Sequence, residues 1–289
     1  MSNCVVRHQP IDRRKPESTW IDNFKQNVTS QGGEDGVILK IFDVIGTKNK
    51  VLVDFGAADG FHISNSYNLI HNLDWNGVLI EPGPQFEKLN TLYESRKDVV
   101  TIKDIVGFDE DNKLDAHLSN AKIEIPEEFD FVSIDIDGND IHVWRDIKKY
   151  RPRVVCIEFN HSLPNDVYLL QPKNLSINIG SSLAATIGAG KELGYELVCV
   201  TGPNAFFVRA SLFSQFNIAD NSIDAMHFNA NKETKICQGY DGTLILAGMK
   251  THPWKGYTID EERIQVLPSN MRRWKFKDGW IWPKRHGLD

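Results

Sequence analysis

Between residues 33 and 209 the chain alternates short apolar runs with amphipathic segments, and that alternation restricts it to very few folds. GEDGVILKIFDVIG places Val37, Ile38, Ile41, Phe42 and Ile45 at helical spacing, and the apolar run VLVDF at 51–55 follows at once. The pattern continues with ISNSYNLIHNL as a helix, GVLIE as a strand, PQFEKLNTLYES as a helix, and VVTIKDIV and FDFVSIDI as strands. GNDIHVWRDIKKY then reads as a helix, VVCIEF as a strand and SSLAATIGAGKELG as a helix. Strands this rich in Val, Ile and Phe, separated by crossover helices, form a parallel sheet covered on both faces. The last two runs, YELVCV and NAFFVRASLF, are joined only by TGP, too short for a crossover, so they predict a hairpin and one antiparallel strand. The expected fold is α/β and doubly wound over residues 30–212. Residues 1–29 read as an N-terminal arm and 213–289 as a C-terminal extension.

Composition narrows the function. The 289 residues are 41% hydrophobic and 25% charged with a net charge of -6, which fits a globular chain and not one gripping nucleic acid along a basic surface. No apolar stretch reaches the ~20 residues of a membrane span, and the first 20 residues lack the apolar core of a signal peptide. Cys4, Cys156, Cys199 and Cys237 are far apart, and two of them sit in strand-like runs, as free thiols do in a reducing compartment. A cytoplasmic protein with a small-molecule partner is expected, and a homodimer is among the assemblies open to it.

Ligands of open parallel sheets bind beyond the carboxyl ends of the strands, and here those ends are acidic. The first strand ends VLVDFGAADG with Asp54, the second LIEP with Glu81, and the third IKDI with Asp104. The fourth ends SIDID with Asp135 and Asp137, and the fifth IEFN with Glu158 and Asn160. Five strands delivering carboxylates to one rim require cations or hydrogen-bond donors to occupy it, because like charges in a cleft destabilise one another. The loop Asp54-Phe55-Gly56-Ala57-Ala58-Asp59-Gly60 lacks the G-x-G-x-x-G spacing that cradles a pyrophosphate, and its two acids repel one. A ligand with ribose, adenine, a sulfonium and an ammonium but no phosphate suits it, which describes S-adenosylmethionine.

VLVDFGAADG, ISNS, GVLIEPGPQ, FDFVSIDIDGND and VVCIEFN, preceded by SQGGEDGVI at 30–38, resemble the FkbM-type class of S-adenosylmethionine-dependent methyltransferases over about residues 28–212. The resemblance implies a class I methyltransferase fold, a Rossmann-like, seven-stranded sheet with its last strand antiparallel. It implies that Asp54, Gly56 and Gly60 line the methionine and ribose, Glu81 takes the ribose hydroxyls, and Asp104 with Ile105 borders the adenine. Asp135 then faces the amino group or the reaction centre. Gln31, Ala57, Ser64, Asn65 and Pro82, which fall in the same motifs, join the cofactor-binding set. Many relatives carry a glutamate where this chain has Asp137, and nothing after residue 212 matches the family, so an acceptor does not carry over.

Methyl transfer to a hydroxyl needs a base or a metal. In one route Asp135, Asp137, Glu158 and Asn160 hold Mg²⁺ or a similar hard cation that lowers the acceptor's pKa. In the other, His161 is the base; it also reads as an exposed loop histidine. The expected reaction is O-methylation of a sugar, glycolipid or natural product. Two other readings stay open. One is a nicotinamide-dependent oxidoreductase or epimerase on nucleotide sugars, which lacks its glycine triplet and Tyr-x-x-x-Lys pair here. The other is a non-catalytic binding module.

The extension holds Trp254, Trp274, Trp280 and Trp282, with Arg272, Arg273, Lys275, Lys277, Lys284 and Arg285 giving its last 19 residues a net of +4. It reads either as a platform for a substrate or single-stranded nucleic acid, or as a tail that packs its tryptophans. His62 reads as helix-entry decoration and Trp144 as core. Gly188 and Gly190, inside a helical pattern with no strand before them, have no nucleotide role.

Overall fold

The computed structural model describes residues 11–228, 234–239, 241–252, 256–272, 274–277 and 280–283. Cys4, Trp254, Arg273, Lys284 and Arg285 lie outside the described residues. Arg13–His161 and Asn165–Phe228 form one compact unit, and the remaining described residues belong to a second.

In the first unit α1 (Glu34–Ile45) leads into β1 (Val51–Phe55), α2 (Tyr67–Leu73) into β2 (Asn76–Ile80), and α3 (Phe86–Tyr93) into β3 (Val99–Ile102). Then follow α4 (Leu114–Ser119), β4 (Phe131–Ile134), α5 (Asp140–Asp146), β5 (Val154–Glu158), α6 (Leu183–Glu192), β6 (Tyr195–Val200) and β7 (Asn204–Arg209). The strands form one sheet in the order β3-β2-β1-β4-β5-β7-β6. All neighbours are parallel except β7, which runs against both β5 and β6. This is the class I methyltransferase arrangement, with the TGP link closing the β6–β7 hairpin. Strand order reverses beside β1, where the chain moves from β3 across to β4, so a crevice opens at the carboxyl ends of β1 and β4.

The strands are buried on both faces, which is why they read as continuous apolar runs; every residue of β1 and β4 is buried. α1 turns Val37, Ile38, Ile41 and Phe42 onto the sheet. α6 approaches closely enough that a Cβ on Gly190 would stand 2.8 Å from Phe207 and 3.2 Å from Trp144. The glycine is therefore a packing device beneath Trp144, itself 2% exposed, and this accounts for the helical Gly-Ala-Gly.

Some packing falls outside the apolar periods. Trp20–Phe24 forms a 3-10 turn whose Ile21 is fully buried, and the Trp20 indole donates to the Phe216 carbonyl. Lys15 pairs with Asp220. Residues 13–28 and 213–228 thus pack within the same unit as the sheet. α4 carries only six residues, too few for a periodic signal.

In the second unit β8 (Thr234–Gln238) pairs antiparallel with β9 (Leu244–Gly248), and β10 (Trp274–Lys277) with β11 (Trp280–Pro283). Gln265 bridges to both backbone groups of Leu244, and Lys250 pairs with Glu261 at 3.0 Å. Arg272 donates to the Leu267 carbonyl and pairs with Glu262, so this member of the basic set is held internally. No helix among the described residues is long and apolar enough to cross a membrane.

Candidate functional site

β1 ends on a tight approach to β4. Gly56 has φ +83°, and a Cβ there would stand 1.6 Å from the Asp135 carbonyl oxygen, so only glycine lets the two strand ends meet. The amides of Gly56 and Ala57 both donate to the Ile80 carbonyl. One turn on, the Ala58 amide donates to Glu81 Oε2 at 2.9 Å and the Gly83 amide to Glu81 Oε1 at 2.6 Å. Glu81 is therefore clamped between the loops that follow β1 and β2.

Asp54 lies within β1 and is 4% exposed. The register Asp54↔Ser133↔Cys156 puts these three side chains in one row across β1, β4 and β5. The residues ahead of α2 cover that row: Ser66 Oγ donates to Asp54 at 2.6 Å, and the Asn65 amide reaches Ser133 at 3.4 Å and Cys156 at 3.7 Å. Ser64 Oγ accepts from the Ser66 and Tyr67 amides. The ISNS motif is thus a polar lid on the sheet face.

Beyond β4 the chain turns sharply, with Asp137 at φ +58°. Asp140 builds this turn by accepting from the Ile136 amide at 2.9 Å and the Gly138 amide at 2.8 Å. As a result Asp135, Asp137 and Glu158 each place a carboxylate oxygen within 4.8 Å of the others. Asp135 and Glu158 are half-buried and Asp137 is exposed.

Burial pushes Asp54 up to about 6, with the Asp135 and Glu81 charges opposing the relief from Ser66 and Ser133. Burial and the neighbouring Asp137 raise Asp135 to about 6. Burial and the Asp135 charge raise Asp140 to about 7 against the hydrogen bond from Ile136. Glu158 rises to about 10 through burial, then Asp135, Asp140 and Asp137. The strongest charges acting on each are other acids. Three convergent carboxylates at an open turn, with Asp135 and Glu158 raised by burial and by neighbouring acids, are the donor set a hard divalent cation takes.

The other expected residues fall as follows. Asp104 is exposed and accepts from the Ile105 amide, and the Ile105 carbonyl meets His117 Nε2 at 3.1 Å. Gly60, at φ +77°, sits against Leu89 of α3. Gln31 and Pro82 are exposed, and the Gln31 carbonyl accepts from Asn27. The Asn160 amide nitrogen donates to the Ile179 carbonyl at 2.6 Å. His161, three residues past β5, is half-buried. His62 Nδ1 pairs with Asp59 at 2.7 Å, at the exposed outer side of its loop.

Several residues of the site carried no sequence assignment. Asp140 ends the segment FDFVSIDIDGND and has no assigned role in the sequence, although an acid at the first position of a helix is a recognisable turn-capping signal. Gln171 is fully buried; its Oε1 accepts from the Ile179 and Gly180 amides, and it abuts Gly138. Glu34 is fully buried and takes hydrogen bonds from Thr201 Oγ1 at 2.5 Å, the Gly32 amide at 2.6 Å and Asn204 Nδ2 at 3.4 Å. These partners are 30 to 170 residues apart in sequence or lie in an unpatterned loop, so no local signal exposes them.

No family model and no curated protein sequence matches the chain. Among solved structures, part of the chain is similar to a fibrillarin/Nop5p complex, at 13% identity over 60% of this chain and 79% of that one, TM-score 0.36. It is similar to a SAM dependent methyltransferase from Aquifex aeolicus, at 14% identity over 65% and 95%, TM-score 0.37. A third likeness is to an O-methyltransferase family 2 protein from Planctomyces limnophilus in complex with apigenin, at 14% identity over 55% and 50%, TM-score 0.35. Likenesses of this extent assign neither ligand nor reaction to the chain.

Proposed function

We propose that the chain is an S-adenosylmethionine-dependent methyltransferase that methylates a hydroxyl of a small acceptor, a sugar, glycolipid or natural product, with a hard cation at Asp135, Asp137 and Glu158. The observation that carries this reading is the cluster of raised carboxyl groups at the carboxyl edge of β1, β4 and β5. An edge so negative accepts a cationic, phosphate-free ligand and resists a dinucleotide.

When bound, the donor supplies a methyl carbon already activated by a sulfonium, and a hard cation at the three carboxylates supplies Lewis acidity that lowers a hydroxyl's pKa. The chain's work is then to hold and align. Glu81, fixed by the Ala58 and Gly83 amides, keeps lone pairs for two ribose hydroxyls. The Gly56–Ala57 backbone gives close approach beside Asp135. Asp135 accepts the proton that leaves the acceptor hydroxyl and becomes the neutral acid beside Glu158; a cation held by Asp135, Asp137 and Glu158 would make that proton easier to remove. His161 is the alternative base if no cation is used.

Calorimetry with S-adenosylmethionine and S-adenosylhomocysteine tests the reading. Binding at micromolar concentrations is expected, weakened about tenfold by Glu81→Ala, the loss of about one charged hydrogen bond. Absence of heat with both ligands would remove the proposal. Turnover abolished by EDTA and restored by Mg²⁺ supports the cation; full turnover in chelator leaves the His161 route.

A further inference from the structure

Asn204 opens β7, and because β7 is antiparallel its first residue lies at the carboxyl end of β5, directly opposite Glu158. Residues directly opposed on antiparallel strands share a face with Cβ atoms about 5 Å apart. Asn204 is 3% exposed, and its Oδ1 is buried with no hydrogen-bond partner, a costly state for an amide carbonyl. Its Nδ2 donates at 3.4 Å to Glu34, which is held from the hairpin side by Thr201 Oγ1. Asn204 thus faces Glu158 across the β5–β7 pair, and with its nitrogen given to Glu34, its oxygen is the atom left without a partner at the carboxyl end of β5.

We infer that Asn204 Oδ1 is a further oxygen ligand of the cation site formed by Asp135, Asp137 and Glu158, a neutral donor that enters from β7. This rests on the cation reading above. A carbonyl oxygen beside three carboxylates is a donor set suited to Mg²⁺ or Mn²⁺.

Mn²⁺ binding to the full chain, followed by electron paramagnetic resonance of free Mn²⁺ in the absence of donor and acceptor, tests the assignment. Wild type is expected to bind one Mn²⁺. Asn204→Leu should weaken binding at least tenfold, Asn204→Asp should tighten it, and Glu34→Gln, which keeps an acceptor oxygen for Nδ2 and leaves Oδ1 untouched, should leave it within about twofold. Should Asn204→Leu fail to fold, Asn204→Asp decides: unchanged or weaker Mn²⁺ binding in a folded Asn204→Asp chain overturns the inference. Wild-type affinity in folded Asn204→Leu overturns it too. No Mn²⁺ binding by wild type at millimolar concentration instead removes the cation reading itself.

Discussion

Strands β4 and β5 are flanked at both ends by ionisable residues, and the two ends are treated in opposite ways. Before β4 stands Asp130, before β5 Arg153, and the two pair at 2.6 Å. Asp130, fully buried, also accepts from the Lys48, Asn49 and Lys50 amides, while Arg153 donates to the Ile45 and Gly46 carbonyls. Every charge there has its partners inside the protein. Asp135 follows β4 and Glu158 ends β5, acid against acid. The amino edge joins the strands to the loop after α1 and is complete in itself. At the carboxyl edge the charges acting most strongly on Asp135 and Glu158 are those of other acids, the condition of a surface suited to a cation.

That contrast can be broken most forcefully at the amino edge. Arg153→Met leaves Asp130 buried and uncompensated and should cost about 3–5 kcal/mol in urea unfolding. Asp135→Asn, on the same strand pair, should leave the ligand-free protein as stable or more so at pH 8. Equal losses from both substitutions would erase the distinction.

A smaller effect separates the ends by pH. Asp54 and Asp135 at about 6 and Asp140 at about 7 stand above the roughly 4 of an unfolded aspartate, so the folded chain binds more protons through this window. Stability therefore falls as pH rises from about 4 to 7, and Glu158 at about 10 extends the decline into alkali. The melting temperature of the ligand-free chain should be higher at pH 5 than at pH 8, with a shallower slope in Asp135→Asn. A profile that rises with pH would contradict the unneutralised edge.

Mn²⁺ sharpens the same point more gently. It should raise the melting temperature more at pH 8, where Asp135 is ionised and only Glu158 must release a proton, than at pH 5, where protons occupy both. An equal shift at both values would place the metal elsewhere. The smallest effect belongs to Asp104, the exposed strand-end acid outside the group: Asp104→Asn should change stability by no more than about 0.5 kcal/mol at either pH, read from the same melts.

Much of the fold was legible because its signals are local. The α1 period, the run VLVDF and the three-residue TGP link each constrain the chain within a few residues, whereas the strand order β3-β2-β1-β4-β5-β7-β6 is a property of the folded sheet. Trp20–Phe24 and α4 escaped notice because five or six residues cannot display a period. At the site, the acids at the strand ends could be read, since a parallel sheet brings its carboxyl ends to one edge. The covering of Asp54 by Ser66 and the meeting of Asn204 with Glu34 could not.

The sequence by itself determined the layer architecture, the edge on which ligands are met and the sign of the charge there, because periodicity and strand direction need no knowledge of distant partners. Tertiary structure alone decided which acids share a neighbourhood. Asp130 and Asp135 are equally acidic in the sequence, but one meets a guanidinium and three amides and the other meets Asp137 and Glu158. That difference arises from register across strands far apart in the chain, where burial turns an ordinary carboxylate into either a structural anchor or an unfinished binding site.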